Sequence, residues 1–166
     1  LDKTREHFKW IFTCMDSLVE LGAPFVYNIS NAAPWIWEKN RAIHPKTKLV
    51  SMIASNKGWL RGHQNRLQWV ERLKDKNDNS DTYFTEKLTD CFAMGTVPVY
   101  YGSRKVVEKY FDPTGVIFLE DDADLSTLTP EKYQSLMPAI ERNFIAANNL
   151  PVSEDYMWEN YLKNLF

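Results

Sequence analysis

Cysteine is scarce in this chain of 166 residues: only Cys14 and Cys91 occur, each inside an apolar run rather than in a close pair. That spacing excludes a zinc knuckle and a disulfide framework and predicts two buried free thiols. Long apolar runs are missing as well. No stretch reaches the ~18 residues that a membrane-spanning helix needs, and the first residues, Leu1 to Glu6, are charged rather than signal-like. A large charge of one sign is also absent. Twenty Lys and Arg stand against 22 Asp and Glu, a formal net of −2, and the basic residues are dispersed among acids. This balance argues against nucleic-acid wrapping and membrane-surface binding, so small-molecule partners are expected. There is no internal repeat and no low-complexity segment. The start at Leu1, without a methionine, is read as a chain that continues upstream.

What is present is a 44% apolar composition with six Trp, eight Tyr and nine Phe, enough for one full-sized hydrophobic core. Core packing is a stronger account of any single aromatic than ligand contact. Short β-favouring runs at residues 8–13, 25–27, 48–54, 97–100 and 116–119 alternate with amphipathic stretches, which predicts an α/β fold with helices on the faces of a sheet. The nearly continuous apolar run at 48–54 reads as a central strand. It ends in the polar turn Ser55-Asn56-Lys57-Gly58, the end at which such folds bind ligands. Helical spacing is found at Leu67, Val70 and Leu73 after Arg66, at Leu88, Phe92 and Ala93 after Glu86, and at Tyr133, Leu136, Ile140 and Phe144 after Pro130. A last helix is expected over 155–165, with Ser153 as its N-cap.

The run Thr82-Tyr83-Phe84-Thr85-Glu86-Lys87-Leu88 places a hydroxyl residue ahead of a helix whose first turn holds Glu86 and Lys87. Thr85 is the expected cap. Such a start presents unpaired N–H groups and the positive end of the helix dipole, to which Lys87 adds a full charge. A diphosphate suits that site. Glu86 offers a carboxylate for ribose hydroxyls, and the Tyr83 ring a face for a base or sugar. An ordinary capped surface helix with solvated Glu and Lys is the competing account. Asp90-Cys91-Phe92-Ala93-Met94-Gly95 followed by Thr96-Val97-Pro98-Val99-Tyr100-Tyr101-Gly102 then reads as helix, glycine stop, short strand and second glycine turn, bringing Gly102 and Ser103 to a strand's carboxyl end.

Together, Tyr83 to Leu88, Asp90-Cys91-Phe92, Gly95 to Tyr100 and Gly102 resemble the donor-site signature of the family 10 α-1,3-fucosyltransferases. Residues 46–57 and Gly62-His63-Gln64-Asn65-Arg66 are similar to the first strand and helix of that family's C-terminal domain, and the likeness spans roughly residues 8–128. The resemblance implies a GT-B architecture in which this chain supplies the C-terminal lobe, a Rossmann-like parallel sheet flanked by helices. Residues 1–45 would be a remnant of the N-terminal lobe with the interlobe connection, 46–150 the donor-binding domain and 151–166 a C-terminal helix. The implied reaction is inverting transfer of fucose from GDP-fucose to a hydroxyl of a glycan acceptor, with no metal or other cofactor required. The resemblance puts Arg66 and Lys87 on the diphosphate as leaving-group stabilisers, Glu86 on the ribose, Tyr83 beside the nucleotide or fucose, and Asn77 facing the donor. It leaves location split between cytoplasmic or membrane-peripheral, for a microbial or viral source, and the Golgi lumen, for a eukaryotic one.

The sequence departs from the family in two places. Lys76 stands where the family has a Glu before Asn77, and the strand expected between Leu73 and Tyr83 is missing, so a chain break is expected near Lys76 and Asn77. The family's general base is a carboxylate of the N-terminal lobe, yet Asp2, Glu6, Asp16 and Glu20 read as solvated helix-surface groups and no base is assigned. A donor-binding fragment without activity, a transferase using another nucleotide sugar and a structural α/β domain are therefore the alternatives. Elsewhere, Glu120-Asp121-Asp122-Ala123-Asp124 lacks the glycine and distal Glu of an EF-hand and reads as a loop ahead of a helix. His63 is a polar helix-start residue near Arg66, while His7 and His44 have no evident partner. Trp35, Trp37 and Trp59 read as lobe-interface packing, with stacking on an acceptor glycan as the alternative.

Overall fold

A computed structural model describes residues 2–29, 33–47, 86–100, 104–118 and 128–164. The strand expected over 48–54, the helix after Arg66, the acidic run 120–124 and the Lys76–Asn77 junction lie outside the described residues. Within them the architecture is mixed α/β, with two small parallel strand pairs and helices between and beside the strands.

The first pair joins β1 (Ile11–Thr13) to β2 (Phe25–Tyr27), with Ile11 opposite Phe25 and Thr13 opposite Tyr27. Helix α1 (Asp2–His7) precedes β1, and α2 (Asp16–Val19) makes the crossover that two parallel strands require. Backbone bonds from Ile11 N to Pro24 O (2.7 Å) and from Asn28 N to Thr13 O (2.8 Å) extend the ladder at both ends. The strand expected over 8–13 is shorter than its apolar run, and Phe8 is exposed. Helix α2 escapes the sequence patterns because a single turn carries too few positions to show a period.

The second pair is built as β-α-β. Helix α3 (Glu86–Ala93) leads into β3 (Val99–Tyr100), helix α4 (Arg104–Tyr110) crosses over, and β4 (Ile117–Phe118) returns parallel with Val99 opposite Ile117. The expected glycine stop is present at Gly95. Its φ of +59° lets its N–H reach Phe92 O (2.9 Å) while Thr96 N reaches Cys91 O (2.8 Å), the paired bonds of a Schellman C-cap. Strand β3 begins only after Pro98, which has no N–H to donate but accepts from Ile117 N at 3.0 Å. Helix α4 has no counterpart in the sequence reading. Its buried Val106 and Val107 sit among exposed Arg104, Lys105, Glu108 and Lys109, too brief an apolar stripe to establish a period.

The core gathers Leu88 and Phe92 of α3, Val106 and Val107 of α4, Phe111, Val116 and Ala147. The rings of Phe92 and Phe111 meet at 4.7 Å between centroids. Burying side chains of this size contributes roughly 1.5–3 kcal/mol each. Ala147 belongs to α6 (Met137–Asn148), which packs on α3 and on the turn Pro113–Gly115. The single helix expected after Pro130 is divided. Thr129 caps α5 (Pro130–Ser135) by accepting from Lys132 N at 3.2 Å, and the chain pauses at Leu136 before α6 begins. Pro138 explains the division, because its ring excludes an uninterrupted hydrogen-bond ladder through that turn.

The last helical segment starts at α7 (Ser153–Met157) and continues as a wider turn over Trp158–Leu162, closed by Lys163 N to Trp158 O at 3.0 Å. It leans on the first strand pair. Tyr161 donates its hydroxyl to Tyr27 O at 2.5 Å, and Phe12 meets Tyr161 edge-on at 5.4 Å. Ser153 is not the expected N-cap: Val152 holds that place, and the Ser153 hydroxyl accepts from Asn28 Nδ2 (2.7 Å) and donates to Ile29 O (3.2 Å). Contacts to a distant part of the chain have taken the hydroxyl that local rules assign to the helix.

Candidate functional site

The candidate site is the start of α3. Leu88, Thr89, Phe92 and Ala93 turn one face of the helix into the core, and this burial fixes the direction in which its first turn points. Glu86 and Lys87 emerge there in different environments. The Glu86 side chain retains 11% of its surface while that of Lys87 retains 68%. The two form an ion pair through Lys87 Nζ and Glu86 Oε1. A largely buried carboxylate is thus held beside an exposed ammonium at the positive end of a helix dipole. The account of both side chains as solvated surface groups fails for Glu86. Chemically, the arrangement offers an acceptor fixed in place and a cation on a flexible stem, able to turn toward an anion.

Of the other residues assigned to the donor, Arg66, Asn77 and Tyr83 lie outside the described residues, as do Thr85, Gly102, Ser103, His63 and Trp59. The structure therefore brings Glu86 and Lys87 together.

Around them, the segment 33–47 is fastened across the far end of α3, an arrangement with no sequence signal. Asp90 Oδ1 accepts from Trp35 N (2.8 Å) and Ile36 N (3.2 Å). Arg41 binds the same turn from the other side, donating to Ile36 O (2.6 Å), Pro34 O (2.9 Å) and Asn148 Oδ1 (3.3 Å). Lys46 donates to Met94 O at 2.5 Å, and the Gly95 α-carbon lies against Ile43. Burial lowers the Lys46 pKa, opposed by nearby Cys91. Trp35 and Trp37, expected in lobe-interface packing, are 65% and 72% exposed on this chain.

Both cysteines are free and half-buried rather than fully buried. Burial, followed by the charge of Asp90, pushes the Cys91 thiol up to about 11. Glu6 and Glu20 are exposed, as the solvated account of the N-terminal carboxylates requires, and Asp16 lies 3.5 Å from Lys109. His44, expected without a partner, has Nε2 3.0 Å from Asn40 O. No group of three or more metal-ligating side chains occurs among the described residues, and no helix among them is long and apolar enough to cross a membrane.

No protein-family model, curated protein or solved structure matches the chain.

Proposed function

We propose that this chain is the donor-binding part of an inverting glycosyltransferase that takes fucose from GDP-fucose and delivers it to a glycan hydroxyl. One observation carries the reading: in the first turn of α3 a buried Glu86 and an exposed Lys87 stand side by side, and the same helix runs through a glycine cap into a parallel strand. In this reading the chain forms the Rossmann-like C-terminal lobe of a GT-B enzyme, with residues 46–150 as the donor domain and 151–166 leaning on the 1–45 segment.

The proposed chemistry follows from charge. The acceptor hydroxyl attacks the anomeric carbon from the face opposite GDP, the carbon–oxygen bond to GDP breaks, and negative charge accumulates on the departing diphosphate. Lys87 leaves Glu86 for that diphosphate and, with Arg66 and the α3 N–H groups, offsets the charge. Glu86 then accepts from ribose hydroxyls, Tyr83 lies against the nucleotide or fucose, and Asn77 faces the donor. The acceptor's proton goes to a carboxylate base that no residue of this chain supplies in the proposal, so the chain by itself binds donor without turnover.

Calorimetric titration with GDP, GDP-fucose, UDP and UDP-glucose, with and without a divalent cation, tests the reading. GDP-selective, metal-independent binding is the expected result. Selectivity for a uridine nucleotide would redirect the assignment to another donor, and no binding by any of the four would overturn it.

A further inference from the structure

The carboxyl ends of β3 and β4 hold an arginine on an aromatic face. Tyr100 and Phe118 are the last residues of the two strands and stand opposite one another in the ladder, their rings meeting edge-on at 6.3 Å between centroids. The guanidinium carbon of Arg104, an exposed residue, lies over the Phe118 ring, 3.9 Å from its centre. A cation at this distance is attracted by the ring face. Stacking of this kind occupies the face of the guanidinium, and a stacked guanidinium meets its polar partners through the N–H groups around its rim, whose fork matches two oxygens of a phosphate at once.

The edge on which Arg104 stands is also the one where α3 begins. Phe92, in the last turn of α3, meets Phe111, just past the end of α4, at 4.7 Å between ring centroids, and Gly95 turns the chain from α3 into β3. Both helices therefore end at the amino edge of the strand pair and start at its carboxyl edge, where parallel α/β sheets bind their ligands. Between those ends Leu88 of α3 and Val106 and Val107 of α4 share one buried cluster, with Tyr100 and Phe118 packed against it. Lys87 and Arg104 are thus two exposed cations on one sheet edge, carried by different helices. We infer that Arg104 is a further phosphate-binding residue of the donor site, engaging the nucleotide's diphosphate from the β4 side while Lys87 engages it from the start of α3. This rests on the nucleotide reading proposed above. As the bond to the anomeric carbon breaks, the departing diphosphate gains charge, and a forked guanidinium answers it with two charge-assisted hydrogen bonds.

The test is calorimetry of the full chain with GDP, and with guanosine as a competitor, with thermal unfolding recorded for every variant. Arg104→Gln is expected to raise the Kd for GDP roughly ten- to a hundredfold, the loss of charge-assisted hydrogen bonds, and to leave the affinity for guanosine, which has no phosphate, unchanged. The unfolding midpoint should be retained, because the side chain is exposed. Arg104→Lys keeps the charge over Phe118 and loses the fork, so it should fall between wild type and Arg104→Gln, and it carries the test if the glutamine variant does not fold. Lys105→Gln removes a positive charge from the neighbouring exposed residue and should bind GDP as wild type does. Equal weakening of GDP and guanosine by Arg104→Gln, or equal weakening of GDP by Arg104→Gln and Lys105→Gln, would overturn the inference. GDP binding that Lys87→Ala weakens and both Arg104 variants leave intact would overturn it alone, whereas a wild-type chain that binds no GDP would overturn it together with the donor reading.

Discussion

Asn143 closes both halves of its amide on the backbone of one residue, Asp112: its Oδ1 accepts from Asp112 N at 2.7 Å and its Nδ2 donates to Asp112 O at 2.9 Å. The side chain is fully buried in α6 and pins the turn that follows α4 to that helix. Gly115 approaches the same amide so closely that a Cβ there would lie 2.6 Å from Asn143 Nδ2. Asn143→Ala strands a backbone donor and a backbone acceptor inside the protein, each an appreciable loss, so it should destabilise the fold by about 2–4 kcal/mol. Chemical denaturation, comparing midpoints at unchanged slope, checks this.

The other side of Asp112 predicts an acid limb. Its carboxylate accepts from the Thr114 hydroxyl (2.6 Å) and Thr114 N (2.8 Å), and Arg142 Nε donates to it at 2.7 Å. The Thr114 hydroxyl is the largest cause of a pKa held below the ordinary 3.8, with burial opposing and Arg142 assisting. A depressed folded-state pKa means that this stabilisation is complete above the unfolded value and is lost as pH falls through the lowered one. Asp112→Asn should therefore flatten the fall of the melting temperature below about pH 4 and leave little change in its slope near neutrality.

Gly95→Ala meets two obstacles. The position has φ of +59°, and a Cβ would stand 2.7 Å from both Cα and Cγ2 of Ile43. Left-handed strain and overpacking together should lower stability by roughly 2–4 kcal/mol. Thermal unfolding followed by circular dichroism measures it. A loss no larger than that of an exposed alanine substitution would show that the segment carrying Ile43 yields freely.

Lys87→Ala tests the donor site. Removing a charged hydrogen-bond donor should weaken binding of GDP by roughly 1.5–3 kcal/mol without an equivalent loss of fold stability. Unchanged affinity in calorimetry would remove Lys87 from the diphosphate. Lys87→Arg, which keeps the charge, should recover part of the affinity.

Cys91 should alkylate slowly at neutral pH, because burial holds its thiol at about 11 and the thiolate is the reactive form. Its rate should climb steeply between about pH 8 and 11, tracking that ionisation. A flat profile would contradict the burial of the thiol.

What the sequence made legible was local. Gly95 as a helix stop and Pro130 as a helix start follow from backbone rules that act within a few residues, and both are found in place. Helix α4 was not legible, because Val106 and Val107 are adjacent and only Tyr110 completes the stripe. Ser153 was misread for a different reason. A serine ahead of an acidic turn satisfies the capping pattern, but its hydroxyl is engaged with Asn28 and Ile29, some 125 residues away. At the candidate site, the polar helix start was legible in Glu86 and Lys87, while the burial of Glu86 was not, since it depends on how the helix meets the core. The clamp of Asp90 and Arg41 on the 34–36 turn left no trace in the sequence, because hydrogen bonds to backbone amides and carbonyls impose no residue type on the partner.

The lean of the final helix on the first strand pair has a consequence for assembly. Phe12 and Tyr27 find their edge-on partners, Tyr161 and Tyr156, far along the sequence. Contacts between residues so distant close large loops, and that entropy must be met before they form, so the native surface of the first strand pair is expected to be completed late in folding.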